Sequence, residues 1–94
     1  MSTLNKDVIE KLLNDLDGWT YSDNHIQRDF ELKDFVEATS FVLGVCMEAE
    51  KMDHHPDILL HGWNKVKISI STHSAGGVTE KDFQLAKKID TRIK

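Results

Sequence analysis

Residues 53–73 read DHHPDILLHGWNKVKISISTH, and this stretch decides the fold. Pro56 lacks an N–H, and its ring pushes His55 towards extended backbone, so a helix arriving from upstream has to end here. Beyond the proline, Val66, Ile68 and Ile70 alternate with Lys65, Lys67, Ser69 and Ser71. That period of two describes a strand with one buried face, predicted over Lys65–Thr72. Ile58–Trp63 is its expected hairpin partner, with the turn around Asn64.

Working upstream, Asp34 with Glu37 three residues later opens a helix predicted from Phe35 to about Met52. Phe35, Ala38, Phe41, Val42, Val45, Ala49 and Met52 form a stripe wide enough to cover a sheet. Val36, Leu43 and Met47 form a second stripe, roughly 160° away at 100° per residue. Three aliphatics aligned on a second face predict helix-to-helix contact between subunits; scattered surface aliphatics are the plainer alternative. Before this helix, Trp19–Ser22 and His25–Leu32 read as a first hairpin turning at Asp23-Asn24. Ile26, Phe30 and Leu32 share one face there, with Arg28 as the polar exception. The spacing predicts an opening amphipathic helix over Leu4–Leu16, capped by Asn5, with Leu4 stapled to Ile9, and stopped by Gly18.

Downstream, Gly76-Gly77 predicts a turn, and Thr79 with Asp82 a capping box for a last helix. Val78 is expected to staple to Phe83, while Ala86, Ile89 and Ile93 continue the buried face. The order is α-β-β-α-β-β-α. It predicts an α+β fold in one domain over residues 1–94: a four-stranded antiparallel sheet with helices packed on one face.

Bulk properties narrow the function. A net charge of −4 and a pI of about 5.6 argue against nucleic acid or an anionic membrane as the main partner. The single cysteine, Cys46, leaves no internal disulfide and no multi-thiolate metal site. Its place mid-helix beside the core stripe predicts a buried thiol. Residues 1–10 carry no apolar leader core, and no stretch approaches the length of a membrane span. A cytoplasmic location is expected, with the nucleus added if the source is eukaryotic. No glycine-rich phosphate loop occurs.

Three of the five histidines stand at element ends, where side chains can converge without disturbing a core: the pair His54-His55 and His73. Glu50 lies one helical turn before His54, so the two are expected to share a face; Asp53 is adjacent. Imidazole exchanges protons near neutrality. Two or three such rings beside carboxylates suit an elimination of water, which needs an acid for the departing hydroxyl and a base for the proton lost. A metal site is the competing use of the same residues. It is disfavoured because neighbouring histidines seldom both reach one ion and no His-x-x-x-His pair is present. His25 and His61 read as solvated or locally hydrogen-bonded, and Asp82 is explained by its capping box alone.

Glu50, His54-His55-Pro56, Trp63, Thr72-His73, Gly77, Thr79 and Asp82 fall in an order and spacing that resembles the pterin-4a-carbinolamine dehydratase family, also known as dimerisation cofactors of a homeodomain transcription factor. Weaker agreement runs through Trp19, Arg28, Phe30, Phe35, Phe41 and Ala49, so the resemblance covers most of the chain. Residues 57–62 are more aliphatic than in relatives, which often carry aromatics there.

The resemblance implies dehydration of 4a-hydroxytetrahydropterin to quinonoid dihydropterin, the tetrahydrobiopterin recycling step after aromatic amino acid hydroxylation. It implies His54 and His73 as general acids on the 4a-hydroxyl, and His55 as the residue that positions the ring and assists proton removal. Glu50 and Asp53 would hydrogen-bond the pterin or tune the histidines. Ser71 and Thr72 would offer main-chain groups, with Pro56 and Trp63 completing the binding surface. No metal or organic cofactor is implied, since N5 of the substrate expels the protonated hydroxyl. The family also implies a homotetramer, with dimers joined through sheet edges and paired through the long helices, in agreement with the stripe of Val36, Leu43 and Met47. A non-catalytic interaction module, in the manner of a transcriptional coactivator, is the alternative that the same resemblance leaves open.

Overall fold

The computed structural model describes residues 2–93. Its elements are α1 (Lys6–Leu13), β1 (Thr20–Ser22), β2 (His25–Glu31), α2 (Phe35–Met52), β3 (Asp57–His61), β4 (Lys65–Ile70), a 3₁₀ turn (His73–Ala75) and α3 (Glu80–Asp90). The four strands form one sheet in the order β1-β2-β4-β3, every pair antiparallel. The expected architecture is therefore the observed one.

Register explains the core. Ile26 faces Ile70, Arg28 faces Ile68, and Phe30 faces Val66 across the central pair, so these residues share the helix-covered side. Ile26, Val66, Ile68 and Ile70 are fully withdrawn from water. Phe41, Val45 and Ala49 of α2 and Phe83, Ala86 and Ile89 of α3 close over them. Burial on this scale is the dominant stabilising term. Arg28, the polar residue on that face, folds over the Phe30 ring at 4.5 Å and reaches Asp90 Oδ1 at 3.0 Å. Asp90 also accepts from Trp19 Nε1, which ties the start of the sheet to the end of α3.

The two-residue turn at Asp23-Asn24 has φ of 52° and 64°, the left-handed pair that a tight hairpin needs and that Asp and Asn tolerate. At the second hairpin the turn is longer, with Gly62 and Trp63 both at positive φ. Asn64 is buried there and bonds the main chain of Leu32 in both directions, joining this turn to the end of β2.

Several expectations need correction. α1 is shorter than Leu4–Leu16: after Leu13 the backbone tightens into i→i+3 bonds, Asp15 to Leu12 and Leu16 to Leu13. Phe35 does not cover the sheet. As the first residue of α2 it precedes the point where the helix meets the core, and it is 55% exposed. Cys46 is exposed, not buried, because it falls between the core stripe and the second stripe. Val36, Leu43 and Met47 are all exposed. As expected, no helix among the described residues is long and apolar enough to cross a membrane.

Candidate active site

α2 ends in a way that sets the site. Asp53 adopts left-handed backbone (φ 50°, ψ 45°), and the N–H of His54 bonds the Ala49 carbonyl while that of Asp53 bonds Glu50. This paired closure is the Schellman arrangement, here with an aspartate where glycine is usual. The left-handed step turns the chain before Pro56 begins the approach to β3, and it separates the two histidines. His54 goes inward and is 7% exposed; His55 stays outside.

The inward turn brings His54 to α3. His54 Nε2 lies 2.5 Å from Asp82 Oδ1. Asp82 has no exposed surface, and its other oxygen accepts from the Thr79 N–H at 2.8 Å and the Thr72 hydroxyl at 3.0 Å. Because Thr72 spends its proton on Asp82, the 2.7 Å contact between Thr72 and Thr79 has Thr79 donating. A carboxylate oxygen accepts, so His54 Nε2 carries the shared proton, and Nδ1 is the ring nitrogen turned away from Asp82.

Glu50 therefore does not share a face with His54. The helix ends too soon, and Glu50 instead meets His55 Nε2 at 2.9 Å on the exposed side. Asp53, His54, His55, Ser71, Thr72 and His73 gather around one hollow of about 260 Å³, completed by Ser74 and Lys81. The three histidines singled out in the sequence thus share a single opening at the end of the sheet. His73 reaches it as the first residue of the 3₁₀ turn, held by the Thr72–Gly77 bridge.

Three expected site residues are placed elsewhere, one of them Glu50, which sits outside the hollow beside His55. Trp63 lies in the β3–β4 turn, at the opposite end of that hairpin from the histidines, and is 61% exposed. A five-residue strand, at about 3.3 Å per residue, separates it from the hollow. Pro56 directs the chain into β3 but does not line the hollow. Conversely, Asp82, Lys81 and Ser74 were missed. Asp82 had a legible signal: it shares the spacing of Leu85, Ala86 and Ile89, so it is a carboxylate on the buried stripe of α3. Its capping box is present as expected, and that sufficient explanation hid the second role.

Among the described residues, no three of His, Cys, Asp and Glu are arranged to hold a metal ion. A larger hollow of about 460 Å³ lies at the other end of α2, around Glu31, Phe41 and Arg92. It contains no histidine, and its guanidinium is already paired with Glu48.

Fold and site define a class: a small α-β-β-α-β-β-α protein whose histidines, one of them anchored on a buried aspartate, gather at one end of an antiparallel sheet. The sequence profile described as Pterin 4 alpha carbinolamine dehydratase matches residues 2–92, and the chain belongs to that family. A protein of Roseiflexus castenholzii, provisionally named pterin-4-alpha-carbinolamine dehydratase, is 51% identical over 90 residues, covering 96% of each chain. One of Sulfolobus acidocaldarius, provisionally named likewise, is 45% identical over 87 residues, covering 93% of this chain and 94% of the other. The crystal structure of a transcriptional coactivator/pterin dehydratase from Brucella melitensis superposes with a TM-score of 0.93 at 36% identity, covering 99% of this chain and all of that one.

Proposed function

We propose that the protein dehydrates 4a-hydroxytetrahydropterins by histidine general acid/base catalysis, as one domain spanning the chain, in tetrahydrobiopterin recycling. The observation that carries this reading is the single hollow shared by His54, His55 and His73. In the reaction a protonated imidazole, His73 or His54, gives its proton to the 4a-hydroxyl. The C4a–O bond then breaks as the N5 lone pair forms the C4a=N5 bond, and water departs. The cation so formed loses one proton to a neutral imidazole, with His55 assisting, so protons and charge balance. Asp82 keeps His54 in one tautomer and balances its positive charge whenever the ring carries a second proton. Glu50 steadies His55, Asp53 and the main chain of Ser71 and Thr72 take the ring edge, and no metal or organic cofactor takes part. Proton transfer of this kind contributes ~10²–10⁴-fold.

The reading is tested by replacing His54 and His73 singly with alanine. Each variant is expected to lose at least about tenfold in dehydration rate while keeping its far-ultraviolet circular dichroism. Full activity in the double variant would remove the proton-transfer role.

A second reading is favoured by the exposed Val36, Leu43 and Met47 and by the coactivator half of the Brucella protein's description: an oligomer whose α2 face binds protein. The two are compatible if α2 pairs with α2 in a homotetramer and the sheet edges at β3 join the dimers. We place the protein in the cytoplasm.

A further inference from the structure

We infer that the segment ahead of α1, residues 2–4, is a strap that positions His73 for proton transfer. The inference rests on reading the histidine hollow as a pterin site. His54 and His55 each rest on a carboxylate, Asp82 and Glu50 respectively. His73 has a different support. Among the described residues its hydrogen bonds run through its main chain, with the Gly76 N–H donating to its carbonyl at 3.2 Å. The ring therefore goes where the backbone of residues 72–78 carries it, and whatever holds that loop holds the acid.

The loop is fastened from two sides. On the α3 side, the Thr72 N–H donates to the Gly77 carbonyl at 2.8 Å, and the Thr72 hydroxyl is held on Asp82 at 3.0 Å. On the α1 side, the Leu4 N–H donates to the Val78 carbonyl at 2.8 Å, and the Thr3 methyl lies over Gly77. A Cβ at position 77 would stand 3.1 Å from Thr3 Cγ2, inside the separation at which carbon atoms attract. The missing side chain at Gly77 is what lets the two segments lie together. The strap has its own anchors: Leu4 packs against the core, and α1 follows at once, with the Asn5 side chain accepting from the Val8 N–H at 2.9 Å and Ile9 buried. Neither Thr3 nor Leu4 lines the hollow, so both are positioning residues that act through His73. Geometry fixed before the substrate arrives is where positioning contributes to rate.

The test removes residues 2–4 from the otherwise full-length protein, leaving Met1 before the Asn5 cap. Dehydration of a 4a-hydroxytetrahydropterin is then measured with and without His73→Ala. With His73 present, the deletion is expected to lower kcat about tenfold, within the loss that a displacement of about 1 Å produces, and to keep KM within about twofold. In the His73→Ala background the deletion should leave the remaining rate within about twofold, since the strap has no acid left to position. Leu4→Ala, which keeps the main chain and the cap, should give the same pattern at smaller size and takes over if the deletion does not fold. A kcat unmoved by both variants, or an equal fractional loss in both backgrounds, would overturn the strap and leave the pterin reading in place. Failure of the unmodified protein to dehydrate the substrate would overturn the pterin reading, and amide hydrogen exchange then decides the strap by itself. Exchange at Thr72 and Gly76 should rise about tenfold on deletion while that at Ile68 stays unchanged; no change at Thr72 and Gly76 would sink it.

Discussion

His54 and Asp82 are 28 residues apart and joined by a 2.5 Å contact between Nε2 and Oδ1, with both side chains almost wholly withdrawn from solvent. One carboxylate thereby performs three tasks: it caps α3 through Thr79, holds the Thr72 strand extension, and fixes the tautomer of His54. Fold stability and site geometry meet in the same side chain.

Asp82→Ala is expected to destabilise strongly. It removes a cap worth about 1 kcal/mol and leaves buried donors on Thr72 and His54 unpaired, each at about 1–3 kcal/mol. A fall in Tm of at least about 10 °C follows for a chain of this size, measurable by thermal unfolding. Asp82→Asn keeps the shape and one acceptor but offers an N–H₂ group to partners that donate. Its kcat should drop at least about tenfold with KM little changed, since the tautomer of His54 is no longer imposed. Unchanged kcat in a folded Asp82→Asn variant would confine Asp82 to a structural role.

Leu43 stands at the centre of the exposed α2 stripe, 61% exposed, with Val36 seven residues before it and Met47 four after. A charge there cannot be desolvated without a partner. Leu43→Glu is expected to shift sedimentation velocity from the assembled species to a smaller one, with secondary structure retained. An unaltered sedimentation coefficient would separate the stripe from self-association.

Arg92 sets a pH dependence of stability at the far end of the molecule. Its guanidinium lies 2.9 Å and 3.0 Å from Glu48 Oε2, and this hydrogen bond holds the Glu48 carboxyl below its ordinary value of 4.5, against a smaller opposing effect of burial. The unfolded chain then binds more protons than the folded one between the lowered value and 4.5, so stability rises with pH there. The contribution is complete above 4.5 and is lost as pH falls through the folded value. The gap in Tm between the native chain and Arg92→Ala should accordingly be present near neutrality and close in strong acid. Gly44→Ala should mimic it, because a Cβ at that position would meet Arg92 Nη1 at 2.6 Å. A gap that persists in strong acid would show that packing, not charge, connects the two residues.

What the sequence determined by itself is everything governed by neighbours along the chain. The alternation of Val66, Ile68 and Ile70, the break at Pro56, the cap at Asp34, the capping box at Thr79 and the left-handed turn at Asp23-Asn24 all depend on local backbone geometry, and each stands where the pattern placed it. The three histidines were legible because element ends are where reactive side chains gather. Tertiary structure decided which residue meets which. Asp53 ends α2 one step too early for Glu50 to reach His54, so Glu50 goes to His55 and a carboxylate on α3 takes its place. Trp63, near the histidines in the chain, is carried away by the length of β3, whereas Asp82, distant in the chain, is folded against them. Local patterns record the direction of each element; only packing in three dimensions sets the distance between them.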